Sequence, residues 1–287
     1  MSVQIYKGEL FRSSISSQYK TRKKVIVFDL DETIGSFADL EILWRSLGEL
    51  DFFTQTQDSF NALLDLYPEF LRYGILNIMD FLYYKKQKGN CYRLFIYTNN
   101  RFPKKWVTMC VNYLEQKQRT PGLFDQLICA FKIDGVVIEP NRTTSSKTHS
   151  DFIRCSMLPR TSEICFIDDR YFENMESGRV YYIQPKPYYH KLLTSEIISR
   201  ICKSKLIKEI DRNILQKYLN DKFTYVNHIP KSLDEITTDR TVSQKLMFHI
   251  QEFFHLTTMN NKTHKVRKCS IGKFTRKRLY PARVRTP

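Results

Sequence analysis

Glycine and proline are scarce, nine and ten in 287 residues. That excludes collagen-like repeats, long flexible linkers and low-complexity tracts. No apolar run approaches the ~20 residues that cross a bilayer. The stretch before Lys24 lacks the apolar centre of a secretory signal. The seven cysteines are odd in number, widely spaced and without a C-x-x-C pair, which argues against a disulfide framework or a structural zinc site. These absences predict an intracellular protein, cytoplasmic or nuclear, with reduced cysteines and no membrane contact.

What is present suits a folded chain. Hydrophobic residues make up 42% and charged residues 26%, enough to bury a sizeable core. The net charge of +16 is unevenly spread. Residues 261–287 hold ten Lys or Arg and no acid. Such a segment buries too little apolar surface to fold alone, so a disordered tail is expected, open to nucleic acid or an acidic partner.

Short apolar runs recur at Lys24–Phe28, Arg93–Tyr97, Gln126–Ala130, Glu163–Ile167 and Val180–Ile183. Continuous runs imply burial on both faces, as in a parallel sheet. Helical patterns lie between them, at Gly74–Lys88, from Pro103 toward Lys117, and at Ser146–Met157. The alternation predicts an α/β fold with a doubly wound parallel sheet. Residues 35–73 read as a helical insertion after the first of these strands, over the sheet's carboxyl edge. Phe37, Leu40, Leu43, Trp44 and Leu47 share one of its faces, and Phe37, Trp44, Phe52 and Phe53 read as core before substrate groove. Residues 194–260 read as a helical extension, with helices at Ser195–Leu219 and Ser243–His255. The predicted organisation is an N-terminal segment 1–21, an α/β domain 22–193, the extension 194–260 and the basic tail 261–287.

In an open parallel sheet, ligands bind beyond the carboxyl ends of the strands. Asp29 and Asp31 follow the first run, Thr98-Asn99-Asn100 the second, and Asp168-Asp169 the fourth. Lys147 stands at the start of the helix before that fourth run. Like charges gathered at one edge repel, and burying them is costly unless they are paired or hold a cation. A hard divalent ion such as Mg2+ suits carboxylate oxygens. Lys132 is a second upstream cation, but it falls in an apparent hairpin, so Lys147 is favoured.

The order Asp-x-Asp-x-Thr, Thr, Lys, Asp-Asp resembles the haloacid dehalogenase (HAD) superfamily of phosphotransferases. Phe28-Asp29-Leu30-Asp31-Glu32-Thr33 looks most like the phosphatases acting on the RNA polymerase II carboxy-terminal domain, the NLI-interacting-factor-like family. The short layout with a Lys/Arg tail is similar to versions carried by large DNA viruses. The resemblance covers roughly residues 22–190. It implies Asp29 as a nucleophile forming an aspartyl-phosphate and Asp31 as general acid, then base. It implies Thr98 and Lys147 as phosphoryl-binding groups. It implies Mg2+ held by Asp29, the Asp31 carbonyl and Asp168, with Asp169 assisting. The implied function is a Mg2+-dependent protein Ser/Thr phosphatase, with a phosphorylated protein, such as the polymerase tail, as substrate. A polynucleotide 3′-phosphatase on the same fold and a non-catalytic nucleic-acid or transcription-complex binding module are the alternatives. The chain departs from the polymerase-tail enzymes at Arg72-Tyr73-Gly74, where they carry Arg-Pro-Gly, at Asp169, and in the short segment Phe131–Ser146.

Overall fold

The computed structural model describes residues 2–12, 23–50, 53–207, 211–223 and 229–269, with side chains as far as Leu256. Phe52 and residues 270–287 of the expected tail lie outside the described residues.

Strand β1 (Val3–Lys7) and a single helical turn α1 (Glu9–Arg12) precede β2 (Lys24–Phe28). Then come α2 (Ala38–Gly48), α3 (Gln57–Asp65), a 3-10 turn (Pro68–Phe70), α4 (Ile75–Gln87), β3 (Arg93–Tyr97), α5 (Lys104–Gln118) and β4 (Gln126–Ile128). A hairpin of β5 (Lys132–Ile133) and β6 (Val136–Val137) leads to α6 (His149–Ser156), β7 (Glu163–Ile167), a second 3-10 turn (Glu173–Met175) and β8 (Val180–Pro185). Helices α7 (Thr194–Lys203), α8 (Arg212–Lys222) and α9 (Leu233–Cys269) complete the order.

The main sheet runs β1-β8-β7-β2-β3-β4, with every pair parallel except β1/β8. The result is a mixed α/β fold around a mostly parallel sheet. Alternation along β2 and β3 serves both faces. Ile26, Phe28, Leu94 and Ile96 join a large core with α2–α5 and α7–α9. Val25, Val27, Phe95 and Tyr97 join a smaller one with α6. Strand β1 was not anticipated inside the N-terminal segment; it pairs antiparallel with β8, Ile5 opposite Ile183.

From β2 the chain goes to β3 and β4 on one side, and then returns to β7 and β8 on the other. The crevice between β2 and β7 is therefore a topological switch point, where such sheets bind ligands.

The insertion packs α3 on α5 and α2 on α8. Phe37, Trp44 and Phe53 are buried core, not a groove lining. Trp44 meets Phe53 and Phe60 edge-on at 5.8 and 5.3 Å between centroids. Two helical boundaries differ from expectation. The run 195–219 is broken because Asp211 caps a new helix, accepting from the Asn213 and Ile214 N–H groups. Helix α9 starts near Leu233, ahead of Ser243, because Ser232 and Glu235 form a reciprocal capping box. It also carries the backbone past residue 261, so the expected tail begins as helix. Among the described residues no helix is long and apolar enough to cross a membrane.

Candidate active site

The carboxyl ends of β2, β3 and β7 each deliver a polar side chain to the switch point. Asp29 follows Phe28, and its N–H donates to the Ile167 carbonyl at 2.9 Å, which ties the end of β2 to β7. Asp168 follows Ile167 and is fully buried; Asp29 and Asp169 are each 7% exposed. Carboxylate oxygens of Asp29, Asp168 and Asp169 all lie within 4.8 Å of one another.

Lys147 answers part of that charge. Its Nζ donates to Asp29 Oδ1 at 2.5 Å and to Asp168 Oδ2 at 2.6 Å. It is not the first residue of a helix, as expected, but the last of a loop. Thr148 accepts from the Asp151 N–H and caps α6, which leaves Lys147 outside it. Burial alone would lower the lysine's pKa, but Asp168 and Asp29 outweigh it and hold the ammonium above its ordinary range. Burial pushes Asp168 upward against the pull of Lys147.

Asp31 projects from a tight turn. Glu32 takes φ 54°, and the Glu32 N–H donates to the Gly35 carbonyl at 2.7 Å. Burial, reinforced by Asp29, lifts the Asp31 carboxyl to about 6, although Asn100 Nδ2 donates to Asp31 Oδ2 at 2.8 Å and opposes the shift. Glu32 beside it rises to about 7, from burial and then from Asp31, Asp169 and Asp29. Thr98 is buried at the end of β3. Its Oγ accepts from the Asn100 N–H at 3.0 Å, so it caps the turn after the strand, and its own proton can still be donated. Helix α5 starts only at Lys104, after Pro103.

Sequence reasoning assigned no role to four further residues. Thr33 donates to Asp169 Oδ1 at 3.0 Å and accepts from the Asp169 N–H at 2.9 Å. Asn100 orients Asp31. Arg72 is buried and donates to the carbonyls of Thr33 and Glu32 at 2.5 Å each and of Lys186 at 2.9 Å. Burial depresses its pKa to about 10. Arg142 is buried too, and donates to the carbonyls of Thr98 at 3.1 Å, Cys129 at 2.7 Å and Ser146 at 3.2 Å, and to Asn99 Oδ1 at 2.7 Å. Thr33 and Asn100 adjoin the aspartates and could have been suspected; a lone Arg142 in a Thr/Ser-rich loop carries no such signal. Lys132 sits in the β5/β6 hairpin, exposed, and takes no part.

The donor set fits a divalent cation. Three buried carboxylates meet one ammonium, leaving negative charge uncompensated. Among the described residues no side-chain or backbone donor of another residue reaches Asp29 Oδ2 or Asp169 Oδ2, and Asp168 Oδ1 takes the Arg170 N–H at 2.9 Å. Comparison with protein-family models, with curated proteins and with solved structures gives no match for the chain.

Proposed function

We propose that the chain is a phosphoric monoester hydrolase of the HAD type, working through an aspartyl-phosphate on Asp29. The observation that carries the reading is the bridged, buried pair Asp29–Lys147–Asp168 at the switch point, with Asp31 held nearby in a raised state.

Each side chain has a task that its surroundings suit. Asp29 Oδ2 attacks phosphorus, and the bond to the leaving oxygen breaks. Asp31, kept partly protonated by burial, gives its proton to that oxygen. It then takes a proton from the water that opens the acyl phosphate, which returns Asp29 and releases inorganic phosphate. Thr98 and Lys147 donate to the phosphoryl oxygens as charge moves, and cost no reorganisation because Asn100, Asp168 and Asp29 already fix them. Asp29, Asp168 and Asp169 would hold Mg2+, which would supply charge neutralisation at the phosphoryl group.

The resemblance to the polymerase-tail phosphatases suggests phosphoserine or phosphothreonine in protein, but no residue of the site selects that substrate. The fold and the buried site serve any accessible phosphomonoester. The test is turnover of a small aryl phosphate with Mg2+ by purified protein. No turnover at any pH between 5 and 8 would sink the reading.

A further inference from the structure

The rim of the site is basic and aromatic. The segments leaving β3 (98–103) and β8 (186–193) contain no Asp or Glu. Arg101, Lys104 and Lys105 lie beyond β3; Arg170 lies beyond β7 and Lys186 beyond β8, all exposed. Among the described residues none of these five makes an ion pair. With the strand order β8-β7-β2-β3, they stand on both sides of Asp29 along one edge. Three strand spacings separate β8 from β3, roughly 14 Å. That distance reaches past the terminal phosphate to its neighbours along a single strand.

One exposed tyrosine lies among the cations. Tyr189 is 52% exposed, near Glu32, Asp169 and Arg170, and has no ring partner among the described residues. Tyr171 stands apart from them: its ring packs on Tyr6 and Tyr182, and its hydroxyl donates to Glu176 Oε1 at 2.7 Å. Of the acids in the loop after β7, Glu176 is held away from this charge. Glu176 lines a separate cavity of about 300 Å3 with Lys7, Gly8 and Ser177, where that loop reaches the opposite edge. Glu32 is the one non-catalytic acid in the turn at the mouth of the site, and it faces Arg170.

We infer that the phosphate hydrolysed is the terminal phosphomonoester of a single-stranded polynucleotide, its neighbouring phosphates held by the rim cations and a base stacked on Tyr189. A phosphopeptide has no row of phosphates to meet cations on both sides, whereas a basic groove with an exposed aromatic is the pattern that binds single strands. The inference rests on the phosphomonoesterase reading. The bond broken is the terminal P–O, and the products are a terminal hydroxyl and inorganic phosphate.

The test compares kcat/KM of the full chain on an oligonucleotide of about 12 residues phosphorylated at its 3′ or 5′ end, a phosphoserine peptide, and p-nitrophenyl phosphate. One oligonucleotide should be preferred over the peptide at least a hundredfold. With about three phosphate contacts, its KM should rise roughly fifteen- to twentyfold from about 50 to 200 mM salt. Arg101→Gln/Lys104→Gln/Arg170→Gln should lower kcat/KM for the oligonucleotide at least tenfold more than for p-nitrophenyl phosphate. The charge-matched Lys88→Gln/Arg119→Gln/Arg160→Gln, at the opposite sheet edge, should leave that ratio within twofold. Tyr189→Ala should raise the oligonucleotide KM roughly five- to a hundredfold, and Tyr189→Phe should restore it. Preference for the peptide, or equal effects of the two triple variants, overturns the inference while aryl phosphate turnover keeps the phosphomonoesterase reading standing. Loss of turnover on every substrate overturns both.

Discussion

Replacing Lys147 by Met removes the ammonium shared by Asp29 and Asp168 and nearly preserves side-chain volume. The carboxylates it leaves, with Asp169, have oxygens within 4.8 Å of one another. At an effective dielectric of about 20, each like-charged pair at that separation repels by about 3.5 kcal/mol or more. Part of this is relieved when Asp168 takes up a proton, so the net loss expected is about 3–5 kcal/mol, typical for removing one partner of a buried ion pair. The pH dependence has a definite sign. In the variant Asp168 titrates above its unfolded value, so the unfolded chain holds fewer protons, and stability falls as pH rises from about 4 toward neutrality. Mg2+ should return part of the loss, about 2.7 kcal/mol at a hundred times its Kd. The assay is urea unfolding followed by tryptophan fluorescence, at pH 5 and 7, in chelator and in Mg2+. A variant as stable as the parent at pH 7 in chelator would refute the charge argument.

Asp29→Asn should abolish aryl phosphate turnover while its unfolding midpoint stays at or above the parent's, since one of the clustered charges is gone; retained turnover in the folded variant excludes Asp29 as nucleophile. Exhaustive chelation should stop turnover and Mg2+ should restore it, with Ca2+ a poor substitute because its looser coordination draws in the attacking oxygen; undiminished turnover in chelator rules out the metal reading. Arg72→Met leaves the Thr33 and Lys186 carbonyls without this donor, while Glu32 keeps the Tyr188 N–H at 2.9 Å, so a loss of about 2–4 kcal/mol is expected in urea unfolding, and a change below about 0.5 kcal/mol contradicts it. Burial would raise Glu252, but donors from Lys7, Tyr181 and His249 hold it down to about 2; its contribution is complete above about pH 4.5 and is lost as pH falls toward 2, so Glu252→Gln should flatten acid unfolding in that window, and an unchanged acid profile counts against it.

The parallel strands were legible because burial on both faces writes itself as unbroken runs such as Val25–Phe28 and Ile164–Ile167. The strand-end acids were legible because charge at such a place has few structural excuses. Strand β1 was not, because Val3-Gln4-Ile5-Tyr6-Lys7 is a short edge whose partner lies far away in sequence. Nor were the boundaries of α8 and α9, since the caps Asp211 and Ser232 lie outside the apolar stripes that signal helices. Lys147 could be picked by spacing, but its pairing with Asp168 as well as Asp29 depends on a loop path that no periodicity records.

The loops of the site are tied together by two arginines that do not touch the reacting atoms, and one of them holds the path of Lys147. The site draws on loops after β2, β3, β4 and β7, and short backbone ladders do not reach between most of them. A guanidinium can bridge such loops because it is planar, always charged and carries five donors in a fixed fork. Arg72 joins the Asp31 turn to the segment after β8, through Glu32, Thr33 and Lys186. Arg142 joins the end of β3 to the end of β4 and to Ser146, next to Lys147. Its guanidinium also stacks 4.8 Å from the ring centre of Tyr97, the last residue of β3. Lysine at either place would supply charge without the fork, and carbonyls would lose their donors in a buried setting. Positioning dominates phosphoryl transfer, so the residues that hold the loops belong to the design of the site as much as the carboxylates do.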